Sequence, residues 1–239
     1  MSKERFDILF DKVYVVSLPS DIKRRESIAQ ELSCYGLEPS FVDGVQMNSI
    51  ADNAFLSVGF WKEKEKEKEK EKEKFVEYRK RVCGAYLAHL QALQKVFDFD
   101  TIKSKCGMIL EDDVILSSGF KDKVVKLIDS LEEREDSWLC CSLQRRLYQN
   151  VCHDETESSL YFKGTTYGHQ GYIYNRYCDK NLLDCFFSVL RWGCNEEIDS
   201  FYVRLSRYFP IFGTNISILR ASEKFESNIS LDKDYLNKI

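Results

Sequence analysis

VYVVSLPSDIKRRESIAQELSCYGLEPSFVDG, residues 13–44, reads as a strand, a helix and a second strand. Val13 to Leu18 is a short apolar run rich in β-branched residues, and Pro19 and Ser20 end it. Ser20 or Asp21 can cap the helix that follows. In that helix Ile28, Leu32 and Tyr35 share one face at i, i+4 and i+7, and Gly36 stands where a helix would stop. Ser40-Phe41-Val42 then forms a second strand ending at Asp43-Gly44. Strands joined by a crossover helix run parallel, with ligand sites beyond their carboxyl ends. Ser17, Leu18 and Asp43 occupy those ends.

Downstream the same alternation continues. RVCGAYLAHLQALQKVF (81–97) repeats Val82, Tyr86, Leu90, Leu93 and Phe97 at helical spacing, with His89 beside the stripe, where a histidine can serve packing or chemistry. CGMIL (106–110) reads as a buried strand that delivers Glu111-Asp112-Asp113 at its carboxyl end, with Val114-Ile115-Leu116 after it. A helix over 119–131, a strand at 138–143, a strand at 172–174 and helices over 177–190 and 197–207 follow. The run 211–219 is expected to be a last strand or hairpin, and residues 221–239 a polar tail. The class is α/β, a mixed, mostly parallel sheet with flanking helices.

Composition narrows the function. The chain has 239 residues, 44% hydrophobic and 31% charged, enough for a substantial core. One tract departs from that average: Lys62 to Lys74 alternates Lys and Glu and holds seven of the 35 basic and six of the 39 acidic residues. Neither as a strand nor as a helix does it have an apolar side to bury, so it reads as a solvated insertion or a frayed extension of the next helix. With a net charge of −4, the balance argues against nucleic acid as the main partner. No run approaches the length of a membrane span and the first residues lack a signal-peptide core, so the reading is a soluble cytoplasmic protein. The nine cysteines are odd in number, without a C-x-x-C pair, and read as free, mostly buried thiols.

The acidic triplet carries the chemistry through its position. Three carboxylates crowd at the end of an apolar strand, where burial makes like charges costly, and a divalent cation relieves that cost. Carboxylate oxygens suit Mg²⁺ or Mn²⁺. Neither a P-loop nor a G-x-G-x-x-G is present, so a glycine cradle for phosphate is not expected.

In order along the chain, VYVVSLPSDIKRR, FVDGV, GAYLAHLQAL, MILEDDV and Ser227-Asn228-Ile229 resemble the segments of glycosyltransferase family 25, the group that includes lipopolysaccharide and procollagen galactosyltransferases. The chain departs from that pattern at Ser17, Ala85, Ala88 and Asn228. The resemblance implies a GT-A fold over residues 1–239 as a single domain. A nucleotide-sugar half (12–116) would carry the insertion 62–74, and an acceptor half (117–220) would precede the tail. It implies a metal held by Asp113 with Glu111 and a donor held by Glu111 and Asp112, beside the strand-end residues Ser17, Leu18 and Asp43 and the helix residue His89; a divalent ion on the diphosphate would then stabilise the leaving nucleotide, with Arg25, or Arg24 if the helix is rotated, as a second contact to donor phosphate. Asp199, which follows Gly193 in the run 195–199, is the expected base for an inverting transfer, with Glu196 and Glu197 competing. His169 and Tyr172, in GTTYGHQGYIY, would line the sugar or acceptor pocket. The expected activity is metal-dependent transfer of galactose or glucose from a UDP-sugar to a saccharide or glycoconjugate, with peripheral membrane contact if the acceptor is lipid-linked. The departures leave open a non-catalytic binding or scaffolding protein, and the acids alone leave open a Mg²⁺-dependent phosphohydrolase.

Overall fold

The computed structural model describes residues 2–47, 69–100, 103–134, 137–144, 151–152, 160–165, 170–191, 197–222 and 224–225. In chain order the elements are α1 (Ser2–Leu9), β1 (Val13–Ser17), α2 (Ile22–Ser33), β2 (Pro39–Asp43), α3 (Glu69–Val96), β3 (Cys106–Glu111), β4 (Val114–Leu116) and α4 (Phe120–Glu132). Then come β5 (Cys140–Ser142), β6 (Val151–Cys152), β7 (Tyr161–Thr165), β8 (Gly171–Asn175), α5 (Lys180–Leu190), α6 (Ile198–Leu205), β9 (Ile211–Thr214) and β10 (Leu219–Ala221).

Among the described residues eight strands form one sheet in the order β2-β1-β3-β8-β5-β9-β7-β6, and β4 pairs with β10 in a separate ribbon. The opening unit is parallel, as its crossover helix requires: Val13 to Ser17 lie against Pro39 to Asp43, and Val13 to Val16 against Met108 to Glu111. Strand β8 runs antiparallel between β3 and β5, and β9 returns parallel to β5. The sheet is therefore mixed, with β7 and β8 opposed to the other six strands.

Strand alternation sorts the core onto two faces. Val13, Val15, Met108, Leu110 and Ile173 point to the side covered by α1, α2 and α4, where Phe6, Ile28, Leu32, Phe120 and Leu127 pack. Tyr14, Ile109, Tyr172 and Tyr174 point to the other, where α3, α5 and α6 bring Tyr86, Leu93, Phe186 and Tyr202. Cys106, Cys140, Cys141 and Cys178 are buried free thiols, and Cys34 and Cys185 are exposed.

Several expectations change at their edges. Asp21 stands at the N-cap of α2 without a side-chain capping bond, whereas the chain leaves that helix through Gly36 at φ +64°, a left-handed turn that glycine adopts without strain. Helix α5 starts at Lys180 rather than 177 because Asp179 caps it, its Oδ1 accepting from the Leu182 N–H at 2.9 Å. Of the two expectations for 211–219, the strand holds as β9 in the main sheet and the hairpin does not, since β10 crosses to β4. Helix α3 begins at Glu69, inside the Lys-Glu tract, and residues 62–68 lie outside the described residues. Helix α1, which no expectation included, docks Phe6 and Phe10 onto the core. No described helix is long and apolar enough to cross a membrane.

Candidate active site

Parallel pairing of β1 with β3 brings Ser17 and the acidic triplet to one end of the sheet. Glu111 is the last residue of β3, its N–H donating to the Gln170 carbonyl, and Asp112 and Asp113 make the turn into β4. The turn is pinned by β10, since the Ser222 N–H donates to the Asp113 carbonyl.

The three carboxylates have different surroundings. Asp112 is buried and both of its oxygens are engaged: Ser17 Oγ donates to Oδ2 at 2.6 Å and Arg24 Nη1 to Oδ1 at 2.9 Å. Glu111 receives His89, whose Nε2 is 3.2 Å from Oε1. Burial drives the His89 pKa down to about 4 despite the opposing charge of Asp199, so the imidazole is neutral near pH 7 and the contact is a hydrogen bond rather than an ion pair. Asp113 is the least satisfied. Its Oδ1 is buried without a hydrogen-bond partner, and Oδ2 reaches Arg24 only at 3.7 Å. Burial, then the Glu111 charge, push its carboxyl up to about 7, with Arg24 pulling the other way.

Beside the triplet lies a cavity of about 360 Å³. Ser17 and Leu18 border it from β1, Gly44 to Met47 from the loop after β2, and Arg24 from α2. The remaining wall is one face of α3, including Lys80, Gly84, Ala88 and His89. Helix and loop touch at Gly84, where an added Cβ would sit 2.1 Å from the Val45 carbonyl oxygen. Only glycine lets the two backbones meet there.

Of the two arginines, Arg24 faces the cavity and Arg25 turns away. Arg25 binds Asp43 at 2.5 Å and the Ser17 carbonyl at 2.9 Å, and it lies 4.7 Å over the Phe41 ring. Neither Arg25 nor Asp43 lines the cavity. Tyr172 is fully buried, its hydroxyl 2.9 Å from Thr165 Oγ1 and its ring edge-on to Tyr202, so it belongs to the core. Glu197, the N-cap residue of α6, accepts a hydrogen bond from the Tyr78 hydroxyl, and burial followed by that carboxylate raises the Tyr78 pKa. Asp199 sits in the first turn of α6, and its charge is felt by His89, Tyr172 and Tyr78. His169 and Glu196 lie outside the described residues.

A divalent cation fits this donor set. Asp113 offers a buried carboxylate oxygen with no protein partner, beside a second carboxylate, Glu111, already oriented by His89. Among the described residues no three His, Cys, Asp or Glu side chains form a metal-holding group, so the fit rests on the Asp113 and Glu111 carboxylates alone. Lys80, buried in the cavity wall, was not among the expected site residues. The signal available for it was its position four residues, about one turn, before Gly84 on the same helix.

Residues 10–190 match the family model described as glycosyltransferase family 25 (LPS biosynthesis protein). No curated protein matches the chain.

Proposed function

The chain belongs to glycosyltransferase family 25, and from that premise we propose that it moves a hexose, galactose or glucose, from a UDP-sugar to a saccharide or glycoconjugate hydroxyl, with inversion and with the help of Mn²⁺ or Mg²⁺. The observation that carries this reading is the buried, unpartnered Asp113 Oδ1 at the edge of the cavity, next to Glu111. Such an oxygen is costly unless a ligand satisfies it.

In this reading Asp113 and Glu111 would hold the cation, with His89 keeping Glu111 in place. Bound there, it would supply positive charge facing the leaving diphosphate. Asp112 acts one step back, fixing Ser17 and Arg24 at the cavity edge. The acceptor oxygen attacks the anomeric carbon from the face opposite the diphosphate. The bond from that carbon to the β-phosphate oxygen breaks, and its electron pair leaves with UDP. The acceptor proton passes to a carboxylate at the start of α6, Asp199 in this reading, with Glu197 as the alternative. A lipid-linked acceptor would be met by peripheral membrane contact, a soluble one in solution.

The test is turnover of UDP-galactose and UDP-glucose with Mn²⁺ or Mg²⁺ across a panel of saccharide acceptors, with the product's anomeric configuration read by NMR. Metal-dependent UDP release with inversion is the expected result. Tight UDP binding without turnover on any acceptor would favour a binding protein, and hydrolysis of simple phosphoesters without UDP preference a phosphohydrolase.

A further inference from the structure

Gln170 stands directly across from Glu111. The Glu111 N–H donates to the Gln170 carbonyl at 2.9 Å, one step beyond the last ladder pair of β3 and β8, Leu110 with Gly171. Side chains two residues apart on a strand share a face. Glu111 therefore follows Ile109, and Gln170 precedes Tyr172, onto the side covered by α3, α5 and α6. The contact of His89 from α3 with Glu111 is on that side. Gln170 is only 8% exposed, and its Oε1 is buried without a hydrogen-bond partner. The sheet uses its backbone and leaves its amide carbonyl unspent, and a buried carbonyl oxygen is costly until a donor reaches it.

The surroundings define that donor. The cavity lies on the β1 and β2 side of Glu111, whereas Gln170 precedes β8, the next strand on the other side. There α6 lies over the sheet, with the Tyr202 ring edge-on to Tyr172 at 5.1 Å. Asp199 stands one turn before Tyr202 on the same helix face, and its charge is felt by both His89 and Tyr172. Gln170 thus falls between Glu111 and Asp199, the carboxylates assigned above to the cation and to the acceptor proton. With a nucleotide in the cavity and its diphosphate at the cation, the group bonded to the β-phosphate extends past Glu111 toward Asp199. That group is a hexose, and its ring hydroxyls are the O–H donors that the carbonyl lacks. We infer that Gln170 is the sugar-reading residue of the donor site, its Oε1 accepting a hydrogen bond from a ring hydroxyl of the transferred hexose. The inference rests on the donor reading above and deepens it by a residue that holds the sugar rather than the nucleotide.

The test is calorimetric titration of the intact protein, in Mn²⁺ and without acceptor, with UDP, UDP-galactose and UDP-glucose, for the wild type and Gln170→Met. Methionine keeps the stem without the amide, and melting curves establish that the variant is folded. Loss of one neutral hydrogen bond predicts that affinity for the better-bound UDP-hexose falls about threefold to tenfold in Gln170→Met, while that for UDP stays within about twofold. UDP-hexoses lacking one hydroxyl each complete the cycle: the analogue without the contacted hydroxyl should lose the same factor on the wild type and nothing further on the variant. Unchanged UDP-hexose affinity in Gln170→Met would overturn the assignment, even with a raised acceptor KM, which would move the contact to the acceptor. So would an equal loss for UDP and UDP-hexose, the mark of a merely structural glutamine. If every analogue bound the wild type as tightly as its parent, the assignment would fall whatever the variant did. A wild-type protein that binds neither UDP nor a UDP-hexose would instead sink the donor reading itself.

Discussion

Arg24 Nη1 donates to Asp112 Oδ1 at 2.9 Å, joining the first turns of α2 to the β3–β4 turn in a pair whose side chains are 10% and 7% exposed. With Ser17 Oγ on the other oxygen, Asp112 is spent on structure, and its neighbour Asp113 keeps the bare oxygen. Removing one member of a buried pair strands the other charge. Arg24→Met is therefore expected to destabilise the protein by about 3–5 kcal/mol, and Arg24→Met/Asp112→Asn by clearly less than the sum of the two single changes. Urea denaturation of the four proteins measures this, and strict additivity would show that the pair is not coupled.

Asp113 titrates in the opposite sense to an ordinary ion-paired aspartate. Burial and Glu111 raise its folded pKa to about 7, above the unfolded value, so its favourable contribution is full below the unfolded pKa and is lost as pH rises through about 7. Asn copies the protonated acid at every pH. Without metal, Asp113→Asn should be more stable than wild type at pH 8 by an amount on the order of 1–3 kcal/mol, with the gap narrowing toward pH 5. Adding UDP and Mn²⁺ at about 100 times their dissociation constants should close or reverse that gap, because the wild type gains about 2.7 kcal/mol and the variant does not. Thermal melts across pH, with and without ligands, check both halves; a variant less stable than wild type at pH 8 without metal would contradict the first.

The β1-α2-β2 unit was legible because each of its signals is local: a β-branched run, a stop at Pro19, one apolar helix face and Gly36. The position of the triplet at the end of β3 was legible for the same reason. What separates Asp112 from Asp113 was not, because it depends on which carboxylate Ser17 and Arg24 reach from two other elements. Helix phase decided between Arg24 and Arg25, and a rotation of about 100° between successive residues is finer than a sequence pattern resolves. Tyr172 looked like a pocket residue in its glycine-rich surroundings, yet strand alternation in β8 sends it into the aromatic cluster with Tyr174 and Tyr202. Helix α1 was missed although Phe6, Leu9 and Phe10 stand at i, i+3 and i+4, since one turn of pattern gives little signal.

Gly84 joins α3 to the loop after β2. A methyl group there meets the Val45 carbonyl, which is backbone and can yield only if the loop moves. Gly84→Ala should cost about 1–3 kcal/mol and, by pushing the Gly44 to Met47 segment away from α3, weaken UDP binding. Denaturation and titration together test this; unchanged values in both would mean that the contact is not needed for the cavity.

The two acids at the α6 amino terminus have different neighbours. Glu197 is held by Tyr78 from α3, whereas Asp199 takes a 2.7 Å bond from the Ser200 N–H and lies where His89 feels its charge. If Asp199 accepts the acceptor proton, Asp199→Asn should lower kcat by about 10²-fold or more while the UDP dissociation constant stays within about twofold. Glu197→Gln, which can still accept from Tyr78, should lose much less activity. Single-turnover rates and UDP titrations on both variants separate the two roles. Were Glu197→Gln the dead variant and Asp199→Asn the active one, Tyr78 would have to release Glu197 during turnover, and Tyr78→Phe would then retain activity that Glu197→Gln lacks.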